Sequence, residues 1–379
     1  MFRFASSDLP PGATAMRARV REFLAAERAA GHWQPTTNCW MQADAEFSRR
    51  CGAAGFIGLA LPTAYGGHGR SLLERYIVFE EMLAAGAPVG LHWIADRQSG
   101  PQIARHGSEA LRRKVLPRIV AGECCIGIGM SEPGAGSDLA AVRTRAVAVA
   151  GGWKLSGSKL WTSHAHRAQY AIVLARSGSG PLEADRHAGL TQFLVDMSSP
   201  GVTPRPIADL TGGRDFNEVV LDEVFVPDEA VLGQPDEGWS LVMGELAWER
   251  SGPERFLSSQ PLLEVFLALV RQGAVAADDA TVRTLGAQAA RLAVLRQMSL
   301  SLAHQLERGD RVDVEAALVK DVGATYERAV PDAVRTLAPD ALDQLPQLGA
   351  ALLAAPSYSL RGGTREILRG IIAKRLEVR

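Results

Sequence analysis

Two short segments carry side chains whose types and spacing suit the binding of a flat, polar ligand. The first is Met130-Ser-Glu-Pro-Gly-Ala-Gly-Ser-Asp138. Its two glycines and its proline favour a tight loop whose backbone N–H groups point outward, and Ser131 and Ser137 add hydroxyls. A polar ring edge or a phosphate matches that set of donors. A plain structural turn is the competing reading, because short Gly/Ser loops are common. The segment is neither the G-x-G-x-x-G of a dinucleotide-binding βαβ unit nor the lysine-bearing P-loop. The second segment is Gly157-Ser-Lys-Leu-Trp-Thr-Ser-His164. Trp161 sits there among small and polar neighbours, so its indole can stack on a flat ring while Ser163 hydrogen-bonds the ring edge. Ordinary core packing of the tryptophan is the alternative.

Other chemistry is poorly supported. His164 and His166 lack carboxylate or cysteine companions at ligand spacing, so they are expected to be polar loop residues, and no metal site is expected. Cys39, Cys51, Cys124 and Cys125 form no C-x-x-C pair and read as buried small hydrophobes in a reducing cytoplasm. A formal net charge of −1 provides no global field for nucleic acid or an anionic membrane. Met1 to Pro11 contains no secretory apolar core, and no stretch approaches the roughly 18 to 20 apolar residues of a membrane span.

The elements that must position these segments follow from periodicity. With 379 residues, 47% hydrophobic and 22% charged, the chain can build a large core in two or three domains. From Ala13 to about Gly122 the apolar spacing is helical, clearest over Leu72–Ala85 and over Ser108–Ala121, where Ser108 is the expected N-cap. Pro117 is expected to kink or break the second of these. From Glu123 the pattern becomes β: Arg143–Ala150, a turn at Gly151-Gly152, then Ala171–Ala175, Gln192–Val195 and Glu218–Leu221. After Gly238 the helical period returns over Leu262–Arg271 and Val282–Glu307. The expected organisation is an N-terminal helical domain (1–122), a middle β domain (123–237) and a C-terminal helical bundle (238–379), an α+β architecture.

Taken together, the two polar segments resemble the acyl-CoA dehydrogenase family, whose signature is SEPGAGSD followed after a hairpin by K-x-W. The likeness runs from about Ala13 to Arg375. It includes Gln102–Gly107, Leu116–Glu123, Phe216–Pro227 and the terminal Gly363-Thr-Arg-Glu-Ile-Leu-Arg369. It implies an N-terminal helical domain, a middle β-barrel-like domain and a C-terminal four-helix bundle that together bind FAD. The backbone around Ile128 and Met130 would lie along the isoalloxazine ring, with Ser131 at its pyrimidine edge. Gly136 and Ser137 belong to the same loop, and Ser137 would also meet the pantetheine arm of the substrate. Trp161, Thr162 and Ser163 would flank the ring face and its N5 region, and Thr364 and Glu366 would reach the ribityl-pyrophosphate part.

The implied reaction is α,β-dehydrogenation of an acyl thioester carried by coenzyme A or an acyl-carrier protein. A carboxylate takes the α-proton, the β-hydrogen leaves as hydride, and hydrogen bonds polarise the thioester carbonyl. Most of the family carries the base directly before the terminal Gly-Thr, where this chain has Gly362. The isovaleryl-CoA dehydrogenases place it instead on a helix that Leu246-Ala-Trp-Glu-Arg250 resembles. Glu249 is therefore the expected base, its pKa raised by apolar Leu246 and Trp248, with Glu245 and Glu254 as alternates. Arg250 is the expected substrate-binding arginine. The family's R-x-x-F-G and Q-x-x-G-G-x-G elements, which hold the adenine end of FAD across a subunit interface, are missing. The resemblance further implies a homodimer or homotetramer and an electron-transfer flavoprotein as acceptor. Two other readings of the same scaffold are a flavin monooxygenase or oxidase, and a subunit of a hetero-oligomeric dehydrogenase completed by a paralogue.

Overall fold

The computed structural model describes residues 2–5, 9–178 and 185–377. Its first helices are α1 (Pro11–Ala29), α2 (Ala45–Ala53), α3 (Leu72–Ala85), α4 (Gly100–His106) and α5 (Glu109–Val120). The strands are β1 (Ile126–Gly129), β2 (Arg145–Val149), β3 (Gly152–Ser163), β4 (Tyr170–Arg176), β5 (Leu190–Asp196), β6 (Val202–Ile207), β7 (Phe216–Pro227) and β8 (Val231–Leu232). The last helices are α6 (Gly238–Ser251), α7 (Gln260–Arg271), α8 (Asp279–Glu307), α9 (Asp313–Leu337), α10 (Gln347–Ala354) and α11 (Arg365–Arg375). No helix among the described residues is long and apolar enough to cross a membrane.

The chain forms two compact units. One comprises Met1–Gln42, Ser71–Val89 and Leu246–Arg379; the other comprises Ala43–Arg70 and Gly90–Glu245. The helices that precede Glu123 are thus shared out: α1 and α3 belong to the first unit, and α2, α4 and α5 to the second.

The first unit is helical. α3 spans the expected residues because Ser71 accepts from the Glu74 N–H while the Glu74 carboxylate accepts from the Ser71 N–H, a reciprocal capping box. Gly86, in the left-handed region at φ 78°, ends it. Ala13 of α1, Leu73, Tyr76 and Ile77 of α3, and Leu300 of α8 share one apolar cluster. Arg17 and Arg296 both pair with Glu80 at the edge of that cluster.

The second unit holds one sheet in the order β6-β7-β3-β2-β4-β5-β8, with β1 added parallel to β4. β4 and β5 are buried along almost their whole length, as their continuous apolar runs require. The β2–β3 hairpin pairs Val149 with Gly152, so its turn is Ala150-Gly151, one residue earlier than the glycine pair suggests, and Gly152 is already strand. In α5 the Ser108 hydroxyl accepts from the Leu111 N–H as expected, but Pro117 does not break the helix, which continues to Val120. All four cysteines are buried.

Candidate active site

In the second unit the loop after β1 is built around a buried ion pair. Lys159 Nζ donates to Glu132 Oε1 at 2.8 Å and to the Met130 carbonyl at 3.2 Å. Glu132 also accepts from the Arg143 and Thr144 N–H groups at 2.7 and 2.9 Å and from the Thr144 hydroxyl at 2.6 Å. Burial pushes the Glu132 carboxyl up, but the Lys159 ammonium and these donors outweigh it and hold it below the ordinary range. Burial brings Lys159 down to about 8, against the opposing pull of Glu132. The Leu160 N–H donates to the Ser131 carbonyl at 2.8 Å, which ties the loop to β3 a second time. β1 lies close to β3 because it is thin: a Cβ on Gly127 would stand 2.9 Å from Thr162 Cγ2.

This scaffold presents Trp161. From Lys159 to Thr162, β3 advances three residues while β7 steps back two, from Val219 to Asn217, so Leu160-Trp161 forms a bulge. Trp161 has φ 64°, a conformation that costs a bulky residue about 1–3 kcal/mol. The residue is 55% exposed, and its indole packs edge-on against Phe216, with ring centroids 6.1 Å apart. Thr162 is fully buried, and its hydroxyl has no hydrogen-bond partner among the described residues. Asn217 donates to the Thr162 carbonyl at 3.0 Å and faces His166 Nδ1 at 2.9 Å, which pins the end of the strand. Ile128, Met130, Ser131 and Ser163 are half-buried around this point, whereas Gly136 and Ser137 are exposed. Nothing lies within 4 Å of a Cβ built on Gly134 or Gly136.

A buried polar cluster lies elsewhere in this unit. A π-helical turn at Ala95–Ser99 carries Arg97, stacked at 4.1 Å over Trp93, and Gln98, which donates to Glu245 Oε2 at 2.7 Å. Gln192 donates to Glu245 Oε1 at 3.3 Å, so Glu245 is engaged and buried rather than available as a base. Among the described residues no cluster of histidine, cysteine and carboxylate could hold a metal ion.

In the first unit, Glu249 and Arg250 lie near the C-terminal end of α6, against the Gly362-Gly363 turn that leads to α11. Arg250 Nε donates to the Gly362 carbonyl at 3.0 Å, and burial lowers the pKa of this guanidinium. Glu249 does not have the purely apolar surroundings that Leu246 and Trp248 suggest. Arg255 reaches it with two donors, Nε to its backbone carbonyl at 2.7 Å and Nη2 to Oε1 at 3.1 Å. The Glu249 side chain keeps 22% of its surface exposed. Glu254 is 3% exposed and lies 3.9 Å from Arg255 Nε, so this second alternate base is also enclosed. Thr364 caps α11 by accepting from the Ile367 N–H, and Glu366 is exposed in the first turn.

Arg361, just before the turn, is held on several sides. Its guanidinium stacks at 4.1 Å on Trp40 and at 4.6 Å on Tyr358, and it donates to Glu327 Oε2 and Ser258 Oγ, both at 2.8 Å. Sequence reading passed over Arg255, Arg361 and the Glu132–Lys159 pair. Only the last left a signal, an acid and a base standing inside the two motifs themselves.

The second unit displays an indole and an open glycine loop on its sheet, and the first is helical and carries a partly exposed carboxylate, an α+β architecture. Three family models match in order: Acyl-CoA dehydrogenase, N-terminal domain, over residues 11–123; the middle domain over 127–224; and the C-terminal domain over 236–377. Acyl-CoA dehydrogenase FadE34 of Mycobacterium tuberculosis (strain ATCC 25618 / H37Rv) is 34% identical over 83% of this chain, which spans 43% of that relative's length. Acyl-CoA dehydrogenase IpdE1 of the same organism is 33% identical, with 87% of this chain and 86% of the relative covered. A solved structure, the Tcur3481-Tcur3483 steroid ACAD, superposes with a TM-score of 0.85 at 25% identity, covering 98% of this chain and 99% of its own. The chain belongs to the acyl-CoA dehydrogenase family and is an FAD-dependent oxidoreductase. The residues of the second unit fit a flavin ring: an exposed indole, a buried hydroxyl in want of a partner, and glycines with open space before them.

Proposed function

We propose that the protein removes the α-proton and β-hydride of an acyl thioester, with Glu249 as the general base. Bound FAD supplies the two-electron sink. Met130, Ser131, Trp161, Thr162 and Ser163 would hold its ring, Ile128, Gly136 and Ser137 would line the approach, and Thr364 and Glu366 would meet the ribityl-pyrophosphate part. Trp161 offers a flat apolar face, the half-buried Ser131 offers a donor, and the exposed Ser137 offers its hydroxyl to a pantetheine arm. The observation that carries the base assignment is the pairing of two neighbours: Glu249 stands beside the Gly362 turn, through Arg255 and Arg250, with part of its surface open. A carboxylate at that place takes over from the residue that Gly362 lacks. Arg250 would act on substrate through its hold on the same turn.

Anaerobic titration with a panel of acyl-CoA thioesters tests the reading. Flavin absorbance should bleach with at least one of them. Glu249→Gln should keep FAD and lose bleaching by about 10²–10⁴-fold in rate. Undiminished turnover by that variant removes Glu249 from the reaction.

The acceptor of the electrons is proposed to be an electron-transfer flavoprotein, the location the cytoplasm, and the assembly a homodimer or homotetramer. A paralogue-completed hetero-oligomer is the second reading. It is favoured by the missing R-x-x-F-G and Q-x-x-G-G-x-G elements and by likeness to a structure whose name pairs two proteins. FAD well below one per chain in protein expressed alone, restored by a co-expressed partner, would select it.

A further inference from the structure

Position 362 is vacant of a side chain for a reason that lies on another element. Gly362 has φ 67°, and a Cβ built there would stand 3.1 Å from Nη2, 3.2 Å from Cζ and 3.3 Å from Nη1 of Arg255. The guanidinium therefore abuts position 362 and would have to give by a few tenths of an ångström to admit a Cβ there. Arg255 is 2% exposed, although it lies in a short 3₁₀ turn only six residues after Glu249. Its two donors grip the same residue twice, once on the backbone carbonyl and once on the carboxylate. A planar fork held at both ends of one side chain fixes that side chain's torsions as well as its charge. Arg250 completes the geometry by holding the Gly362 carbonyl at 3.0 Å.

We propose that Arg255 is a positioning residue for Glu249: it aims the carboxylate and keeps it ionised, from the space that glycine at 362 leaves empty. This rests on Glu249 being the base. The arrangement explains why base and glycine go together. With the guanidinium beside position 362, a carboxylate presented from the helix is already steered, and a side chain on the turn would shift its steering group. Glycine also suits the left-handed conformation of that turn, which other residues adopt at a cost.

Other charges act on the same spot. Arg250 and Glu254 come from the α6 segment and the turn after it, Asp313, Lys320 and Glu327 from α9, and Arg361 from the residues before α11. Lys320 is brought down to about 7, by burial first and then by Arg255 and Arg361, so over the acid limb it is charged and remains when Arg255 is removed. Removing Arg255 therefore takes away the cation bonded to the Glu249 carboxylate while its more distant neighbours remain. The sign follows. Loss of an adjacent cation disfavours the ionised carboxylate, so the base protonates at higher pH and the acid limb of kcat/KM moves up.

The test is the pH dependence of kcat/KM for the FAD-loaded enzyme with its best acyl-CoA, measured for three variants beside Glu249→Gln. Arg255→Gln should retain FAD, lose kcat by about tenfold, and move the acid limb up by about one pH unit. Arg255→Lys keeps a charge but not the fork, so its limb should stay near the wild-type position while kcat still falls. Gly362→Ala should shift the guanidinium by a few tenths of an ångström and move the limb in the same direction as Arg255→Gln, by a smaller amount. If Arg255→Gln does not fold, the limb of Gly362→Ala decides. An acid limb unmoved in the deciding variant overturns the proposal, whatever happens to kcat. Glu249→Gln separates the two failures. An active Glu249→Gln enzyme sinks the base reading itself. An inactive one, combined with an unmoved limb in the deciding variant, sinks only the role of Arg255.

Discussion

Glu132 and Glu249 are both glutamates bonded to a buried cation, and the molecule uses them in opposite ways. The Glu132 side chain is 7% exposed, its partner Lys159 is fully buried, and three further donors saturate its oxygens. Glu249 accepts from the Arg255 guanidinium at 3.1 Å and keeps 22% of its side-chain surface exposed. A carboxylate so surrounded stays ionised to lower pH than usual and serves as scaffold. A partly exposed carboxylate can gain and lose a proton, which a general base must do in every cycle. The same contrast holds for the cations. Lys159 stitches a loop to a strand, whereas Arg255 binds a glutamate whose side chain is partly exposed.

Four experiments can break or sharpen this contrast. The largest effect is expected from Glu249→Gln, the loss of turnover already described, with the melting temperature little changed. Breaking the other pair should do the reverse. Lys159→Met leaves a buried carboxylate uncompensated and should destabilise the fold by about 3–5 kcal/mol, measured by urea denaturation of the apoprotein. A stability unchanged by Lys159→Met would show that Glu132 is not held by that pair. Acid provides a milder version. Because the folded-state pKa of Glu132 is depressed, its contribution is fully present above the ordinary value of 4.5 and is lost as pH falls through the lowered one. FAD release on acidification should therefore begin below about pH 4.5, and Glu132→Gln should abolish that transition. The smallest effect is at Trp161. Trp161→Gly relieves a left-handed tryptophan, so apoprotein stability should hold or rise by about 1 kcal/mol. FAD affinity should fall about tenfold through lost stacking. A fall in both would mean that the indole is core.

Much of the candidate site could be read along the chain because its parts are short and contiguous. The loop from Met130 to Asp138 and the strand end at Trp161 each lie within a dozen residues, and type and spacing mark them. α3 was legible to the residue, since Ser71, Glu74 and Gly86 write its two ends locally. Pro117 does not end its helix. The helix tolerates it near its end and runs on to Val120. The exposed indole was legible as a candidate but its cause was not, because a bulge is a property of two strands in register and β7 begins more than fifty residues later. Arg255 was invisible for a similar reason. Its significance depends on Gly362, over a hundred residues away, being near enough for the two to compete for space.

Residue order by itself determined the two texture changes, the helix caps, the two polar motifs and the absence of a side chain at 362, because each is a statement about neighbours in the chain. Only the tertiary structure decided which helices pack with which, as α1 and α3 join the helices after Leu246 while α2, α4 and α5 join the sheet. It alone decided that Glu132 is buried among its donors while Glu249 keeps part of its side chain exposed. Burial and hydrogen-bond satisfaction depend on groups brought together from distant positions, and local sequence carries no record of how many donors will finally converge on one carboxylate.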